Sequence, residues 1–417
     1  MARINTNVGA LIANTNLKRS QAALGQSLER LSSGLKINSG ADDPAGLIAS
    51  ESLRSEMQGI SQAIDNSTRA TNVITTAEGA LNEVSNLLVS IKGLVVQSAN
   101  AGGLSSDEIA ANQLQIDSAI ASITRISNTT SFAGLKLLDG SLGYITSGVP
   151  TSALHDLNIQ SANLGTAPTM PVVVNVVTSA QTGSLVYAAS AVTHSVTLKI
   201  SGNEGVQTLS FVSGTRSSAI AFAVNKVADS TGVTAVLTSA TNLSSGVTFK
   251  TVGYGSKQYV SVEVLGDASY FQTQTLSGAI QNRTTGRDAI ASINGAQAIG
   301  DGLNLSLNTP SLSLSLTLDQ AFGLGTRSFT ITGGGANFQL GPQVQSNQQV
   351  SLAIGSVAAA QLGLAQYGYL SDITTGGSAS VVTGNAANAS KILEAAIAQV
   401  SDLRGRLGAF EKNTLQT

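Results

Sequence analysis

The chain of 417 residues has no cysteine, no tryptophan and two histidines, and charged residues make up 11% of it. An average soluble domain has about 25% charged residues. The missing cysteine excludes disulfides, cysteine-ligated zinc, Fe–S clusters and a cysteine nucleophile. A net charge of −2 provides no basic field for nucleic acid. We therefore expect no cofactor, no metal and no nucleic-acid partner.

Long hydrophobic runs are also missing. Asn and Thr residues at positions 5–7 and 14–16 interrupt the apolar residues of the N-terminus, so this segment lacks the apolar centre of a cleaved secretory signal. No apolar run approaches the roughly 18 residues typical of a membrane helix. We expect no membrane span and no cleaved signal peptide.

The charges that are present are unevenly distributed. Residues 1–140 and 386–417 together carry 29 charges in 172 positions, whereas residues 141–385 carry 17 in 245. This change in density indicates a change of structural class near residues 140 and 385. At 42% hydrophobic residues, the chain can still form packed cores.

The N-terminal segment carries an apolar stripe whose steps of three, four and seven are those of a coiled-coil seam. Its members are Ile4, Val8, Leu11, Leu17, Leu24, Leu28 and Leu31. A core within the same chain is the simpler explanation, but little nearby sequence can bury this stripe. An apolar stripe without a partner in its own chain usually finds one in another chain.

A longer heptad pattern follows a Gly/Asp/Asn-rich break. Asp43 can cap a helix that starts at Pro44, and a helix from there to about residue 99 would be about 80 Å long. Ser105 and Glu108 form a capping-box signature for a second, antiparallel helix. The C-terminal segment repeats the spacing, which predicts a bundle of sequence-distant helices. The seam residues are Ile60, Ile64, Ile74, Leu81, Leu88, Leu393, Val400 and Leu407.

The middle of the chain alternates apolar and polar residues, for example over 303–307 and 312–318. This period of two predicts half-buried strands. Residues 190–240 are predicted to form a strand–turn–strand–helix–strand module, and residues 286–320 a second, diverged unit.

Together these patterns predict an α+β multidomain fold, in which the N- and C-terminal segments form a long α-helical coiled-coil bundle and the middle is β-rich and variable. We expect four regions: a terminal helix and break over 1–43, a helical rod over 44–140, an outer β-rich region with small α/β modules over 141–330, and a C-terminal β segment with a returning rod helix over 331–417.

Residues with catalytic potential are few. His155 precedes Asp156, but neighbours in sequence rarely face each other, and His194 lies in a Thr/Val-rich segment that predicts a solvent-facing strand position. Asp42 and Asp43 fit a helix start better than a cation site. No H-E-x-x-H, P-loop or G-x-S-x-G motif occurs, so we expect a protein that is not an enzyme.

Several stretches resemble the bacterial flagellins. The similar N-terminal stretches are MARINTN at 1–7, LSSGLKINSGADDPAGL at 31–47, NVITTAEGALNE at 72–83 and TSFAGLKLL at 130–138. Near the C-terminus, FQLG at 338–341 and LGAF at 407–410 are similar to family signatures. In the middle the likeness is looser, and residues 286–320 resemble the family's small hook-type β motif.

The resemblance implies an extracellular structural subunit of the flagellar filament, which self-assembles into a helical polymer for swimming motility. Flagellins are exported unfolded without a cleaved signal. The implied partners are further copies of the chain, the flagellar export apparatus with an export chaperone, and the hook-associated junction and cap proteins. The N-terminal stripe would line the inner layer of the filament, and the rod seam the surrounding coiled-coil layer.

Two departures from the family pattern matter. The chain stops at Thr417, where the family continues into a Leu-rich terminal helix that pairs with the N-terminal one. If the chain is complete, we expect impaired filament formation, which polymerisation in high salt followed by light scattering would test.

The second departure concerns the segment that an innate immune receptor reads in many flagellins. Leu88, Leu94 and Gln97 match it, but Ser90 replaces an arginine and Gly93 a glutamate. The change removes two charged contacts of the kind that anchor interfaces. We expect weak activation of the receptor.

Other classes of protein stay open at this point. A hook–filament junction protein would share the helical ends but less of the 31–47 and 72–83 stretches. A secreted adhesin or surface-layer protein would account for the Ser/Thr/Gly-rich middle but not for the heptads. An enzyme embedded in the middle region would need a metal or nucleophile motif.

Overall fold

The computed structural model describes residues 7–100, 102–165, 167–239 and 245–415. Over these residues the fold is α+β, as predicted, with long helices towards both ends and strands between them. The helices are α1 Val8–Ser33, α2 Pro44–Ser98, α3 Ser106–Thr129, α4 Ser217–Lys226, α5 Ala228–Thr231 and α6 Ala386–Phe410, the last followed by a π turn at Glu411–Leu415.

The described strands are short and fall between α3 and α6, and α4 and α5 lie among them. They are β1 Ser131–Phe132, β2 Leu135–Lys136, β3 Tyr144–Ser147, β4 Leu154–Ala162, β5 Met170–Thr178, β6 Ser184–Tyr187, β7 Val196–Ser201, β8 Val206–Phe211, β9 Val233–Leu237, β10 Val247–Thr251, β11 Tyr259–Val264, β12 Arg283–Thr285, β13 Ile290–Ile293, β14 Ala296–Gln297, β15 Ile299–Asp301, β16 Asn304–Asn308, β17 Leu312–Leu318, β18 Gly325–Gly334, β19 Ala336–Gln339, β20 Gln349–Leu352, β21 Gly363–Leu364 and β22 Gly368–Tyr369.

The chain divides into two compact units. The first comprises Met1–Arg69 with Gln339–Gln349, and the second comprises Ala70–Phe338 with Val350–Thr417. Each unit is described by itself below. The four predicted regions have boundaries that differ from those of these two units, and the regions stay a prediction.

In the first unit, local signals set where the helices begin and end. The side chain of Asn7 accepts a hydrogen bond from the Ala10 N–H at the start of α1, and Gly34 ends α1 in the left-handed conformation that glycine tolerates best. Asp43 accepts a hydrogen bond from the Gly46 N–H at 3.0 Å, which confirms its predicted capping role next to Pro44. The predicted helix break therefore occurs where expected.

The predicted rod is confirmed as a single helix. α2 contains 55 residues, which corresponds to about 80 Å at about 1.5 Å per residue. In α3, Ser105 and Glu108 form the predicted capping box, with the Ser105 N–H donating to Glu108 at 2.7 Å. From residue 70 onward α2 contributes to one apolar core together with α3 and α6.

Two sheets share a second core, and we call them the first β module. Their strand orders are β14-β13-β5-β18-β3 and β15-β16-β17-β4. The alternating leucines that predicted strands face each other across β16 and β17, where Leu305 lies opposite Leu316 and Leu307 opposite Leu314. All four are buried, because the period of two places them on the same face.

Two further sheets and two helices form the second β module, which is inserted between β5 and β13. Its strand orders are β6-β10-β9 and β12-β11-β7-β8, and α4 packs on its core. The predicted strand–turn–strand–helix–strand order is confirmed as β7, β8, α4 with α5, and β9. The expectation that residues 286–320 form a second unit of this kind is wrong, because that stretch contains five strands and no α-helix.

Candidate self-assembly surfaces

The apolar residues of α1 face solvent. Ile4 lies outside the described residues, and α1 contains no buried residue. The exposed fractions lie between 57% and 81% for the six remaining stripe residues Val8, Leu11, Leu17, Leu24, Leu28 and Leu31. A helix with such a face, exposed over its whole length, has surface available for another chain.

The apolar residues of α1 form two faces and not the single stripe predicted. Because α1 is continuous and each residue turns the helix by about 100°, Leu17, Leu24 and Leu28 share one side. Val8 and Leu11 lie roughly opposite. The step from residue 11 to 17 breaks the heptad spacing, so two separate surfaces near the ends of α1 require cover.

The first part of α2 exposes a further apolar face. Ile60 is 45% exposed and Ile64 61% exposed, although both were predicted to lie in a coiled-coil seam. Leu53 and Met57 are exposed as well, and the spacing of 53, 57, 60 and 64 places all four on the same side of the helix. Sequence reasoning missed Leu53, although its i, i+4, i+7 spacing to the others was the signal.

The opposite side of this part of α2 is covered by the segment 339–349 of the same unit. The Asn66 side chain donates a hydrogen bond to the Gln339 carbonyl at 3.2 Å. At Gly59, a Cβ would lie 2.9 Å from Pro342, so the two backbones are in close contact. Ala63 is buried on the same side. The chain thus covers the small residues of α2 and leaves the large apolar ones exposed.

Beyond residue 70 the seam is buried within its own chain. Ile74, Leu81, Leu88, Leu393, Val400 and Leu407 are at most 1% exposed and belong to the core formed by α2, α3 and α6. Buried in this way, the six side chains pack within their own chain, and their predicted contact with a neighbouring subunit stays a prediction. They stabilise the rod from inside.

The break between α1 and α2 is organised by one carboxylate. Asp42 accepts hydrogen bonds from the Gln26 side chain on α1, from the Asn38 N–H at 3.2 Å and from the Ser39 N–H at 3.1 Å. The guanidinium of Arg30 lies 3.7 Å away. The hydrogen bond from Gln26, followed by those from the two backbone N–H groups, lowers the pKa of Asp42. The carboxylate ties the break to α1 in its charged form.

The candidate immune-receptor segment presents only part of its predicted residues. Leu88 is fully buried and Leu94 half-buried, whereas Gln97 is exposed. Leu88 therefore packs in the core of its own chain, and the receptor contact predicted for it stays a prediction. Ser90 and Gly93 are exposed, so the positions that lack the expected charges are accessible.

The residues with catalytic potential have structural partners. His155 contacts the Asp319 carboxylate at 3.1 Å, while Asp156 accepts a hydrogen bond from the Ala365 N–H at 3.1 Å. As predicted, the two neighbours do not face each other. His194 is exposed as predicted, but it lies in the loop before β7, where its ring stacks on Tyr270 with centroids 4.1 Å apart.

Two features are absent from the described part of the chain. No group of three or more His, Asp or Glu side chains there could hold a metal ion. None of the helices there combines the length and hydropathy that a bilayer-spanning helix requires.

Comparison with known families defines the class of two regions. Residues 4–142 match the model of the bacterial flagellin N-terminal helical region, and residues 197–250 match the flagellin hook IN motif. The first match includes α1, α2 and α3. The second falls on the second β module and not on residues 286–320, where we had expected it.

Particular relatives are similar over the same helical region. Polar flagellin F of Vibrio parahaemolyticus is 45% identical over 140 residues, which is 34% of this chain and 37% of that protein. B-type flagellin of Pseudomonas aeruginosa is 40% identical over 160 residues, 38% of this chain and 33% of that protein. A flagellin of Xenorhabdus nematophila is 42% identical over 137 residues, 33% and 44% of the two chains. The chain thus spans a third to somewhat under half the length of these relatives.

Some solved structures of flagellar proteins show low overall similarity to this chain. FliC from Burkholderia pseudomallei has 15% identity and a TM-score of 0.27, covering 82% of this chain and 99% of that one. The D1-D2-D3 domains of the Escherichia coli flagellar cap protein FliD have 18% identity and a TM-score of 0.34, covering 52% and 64%. Both scores are too low to define the fold.

Proposed function

We propose that this chain is a structural subunit of a bacterial flagellar filament, which self-assembles into a helical polymer for swimming motility. The observation that carries the proposal concerns α1 and the early part of α2, by which we mean residues 44–69. The large apolar side chains that we described on both helices are exposed among the described residues of the chain. Both helices lie within the region that is similar to the flagellin N-terminal helical region.

The physical argument is that apolar side chains on these helices remain exposed in the single chain and would be stabilised by burial in an interface. Burying a Leu or Ile side chain stabilises a protein by about 1.5–3 kcal/mol, and most of the stability of a helix in a protein comes from packing its apolar face. The apolar residues of α1 and early α2 obtain little of this stabilisation within one chain. Further copies of the chain, which carry the same faces, are the partners that would supply it.

The remaining partners and the location follow from the same proposal. The subunit would act outside the cell, after export through the flagellar channel without a cleaved signal peptide. It would meet the export apparatus, an export chaperone, and the hook-associated junction and cap proteins. An innate immune receptor would bind it weakly, because Ser90 and Gly93 lack the expected charges and Leu88 is buried.

Deletion of the gene that encodes this chain tests the proposal directly. Negative-stain electron microscopy of the deletion strain should show cells with missing or shortened filaments, and a plasmid copy of the gene should restore them. Filaments of normal length and number in the deletion strain would contradict the proposed function.

A further inference from the structure

The polypeptide crosses between the first and second β modules twice, at 179–183 and at 285–289. The two crossings pair with each other: the Gln181 N–H donates to the Arg287 carbonyl at 2.8 Å, and the Arg287 N–H donates to the Gln181 carbonyl at 2.9 Å. Two paired crossings resist extension, but on their own they would still allow the second module to bend about them.

A third segment, the loop at 254–257 of the second module, also contacts the two crossings. The Asp288 carboxylate accepts hydrogen bonds from the Ser256 N–H at 2.9 Å and from the Ser256 hydroxyl, both in the second module. It also accepts one from the Gly302 N–H at 2.8 Å, in the first module. One carboxylate therefore holds a group of each module. Nearby, Lys257 forms an ion pair with Asp301 across the same boundary.

The backbones at this boundary are in direct contact. A Cβ at Gly255 would lie 2.6 Å from the Asp288 carboxylate and 2.8 Å from the Gly302 Cα, and a Cβ at Gly302 would lie 2.6 Å from the Tyr254 carbonyl. Both glycines have positive φ, +110° and +63°. Such contacts allow little relative movement of the two modules, because no flexible side chain lies between the backbones.

We propose that Asp288, by accepting hydrogen bonds from both modules, makes their connection a rigid joint and fixes the orientation of the second β module on the first. Without the carboxylate, the loop at 254–257 loses both hydrogen bonds from Ser256 to the crossing. The hydrogen bond from the Gly255 N–H to the Gln181 carbonyl at 3.2 Å and the exposed Lys257–Asp301 ion pair remain, but no group then joins Ser256 to Gly302. The hydrogen bonds from Ser256 and Gly302 lower the pKa of Asp288, which favours the charged form that accepts them. The joint is a property of the single chain and does not depend on polymerisation.

The absence of cysteine in the sequence makes the test direct. We would attach spin labels to Thr208→Cys, at an exposed position of the second module, and to Asn308→Cys, at an exposed position of the first. Pulsed electron paramagnetic resonance would then measure the distance between the two modules. We expect a narrow distance distribution in the otherwise unchanged chain. With Asp288→Ala, the distribution should broaden by roughly twofold or more, as rigid-body motion is released.

Asp267→Ala is the matched control. Asp267 makes the same kind of contact, accepting hydrogen bonds from the Ser269 N–H at 2.9 Å and its hydroxyl at 2.7 Å, but wholly within the second module. Its removal should leave the distance distribution unchanged. Amide exchange of the buried strand β7 should stay slow in both variants, which establishes that the module remains folded.

A narrow distribution in Asp288→Ala, or a broad one in the chain that carries only the labels, would overturn the proposal. If Asp288→Ala does not fold, Ser256→Ala serves instead. This variant removes one hydroxyl donor to the carboxylate and should broaden the distribution to a smaller extent. An unchanged distribution in folded Ser256→Ala, together with an unfolded Asp288→Ala, would also overturn it.

Discussion

α2 carries one heptad pattern but has two environments. Before Arg69 the large apolar residues of its seam are exposed, and after Ala70 the same seam is buried. The difference lies in what the chain provides: α3 and α6 pack on the later part, whereas the segment 339–349 covers only the small residues of the earlier part. A heptad pattern thus predicts that a seam will be buried, but not whether the partner is in the same chain.

The largest expected effect is on the exposed helix. Replacing Leu24 and Leu28 of α1 by asparagine in the chromosomal gene should remove about 3–6 kcal/mol of contact energy between subunits. The critical concentration for polymerisation should therefore rise by about 100-fold or more, while the urea midpoint of the monomer stays unchanged. Pelleting of purified subunits measures the first quantity, and circular dichroism the second.

Ala22→Asn is the control for that double variant, because Ala22 is exposed on the other side of α1. It should polymerise normally. Equal loss of polymerisation in both variants would mean that α1 acts through helix stability and not through its leucine face. Normal polymerisation of the double variant would contradict the role proposed for this surface.

The buried part of the seam should behave in the opposite way. Leu81→Ala is expected to lower the free energy of unfolding of the monomer by about 2–5 kcal/mol, because Leu81 is fully buried and the substitution leaves a cavity. Leu24→Ala, at an exposed position, should change it by less than about 0.5 kcal/mol. Urea unfolding measures both. Similar losses would show that α1 also packs within its own chain.

Local signals made the helices and strands predictable. The caps at Asp43 and Ser105 and the alternating leucines of β17 act over a few residues, so the sequence alone predicts where these elements lie. The joint at Asp288 was not predictable, because Ser256 and Gly302 come together only through the insertion of one module into another. The burial of Leu88 and the exposure of Ile64 likewise depend on distant segments, which the heptad spacing does not contain.

The core that α3 shares with the later part of α2 contains a buried polar residue, Gln113. Gln113 of α3 donates to the Ile373 carbonyl at 2.8 Å and accepts from the Val381 N–H and the Ser380 hydroxyl, each at 2.9 Å. It therefore holds the segment before α6 against the bundle. Gln113→Leu leaves these groups unpaired and should cost about 1–3 kcal/mol. Gln97→Leu, at an exposed position of α2, should cost much less in the same urea titration.

Removing a helix cap should have different effects in the packed bundle and in the exposed part of α2, and both effects should be smaller than those above. Ser105→Ala breaks the exposed capping box at the start of α3, a helix that packs in the bundle, and should lower the free energy of global unfolding by about 1 kcal/mol. Asp43→Ala removes a similar cap at the exposed start of α2, so it should speed amide exchange near Gly46 without changing global unfolding. A global loss in Asp43→Ala would indicate that the start of α2 is packed as firmly as α3.

The smallest effect is expected from acid at the break between α1 and α2. The pKa of Asp42 is lowered from its ordinary value of 3.8 by hydrogen bonds from Gln26, Asn38 and Ser39, so the stabilisation is present above that value and is lost as the pH falls through the lowered one. Arg30 also faces the carboxylate and keeps its charge throughout. Amide protection of Asn38 and Ser39 should therefore fall only once the pH drops below the ordinary value of 3.8, while protection in the buried part of α2 persists at the start of this fall. In Asp42→Asn the protection should be low at every pH, and a wild-type profile that stays flat would show that backbone packing holds the break without the carboxylate.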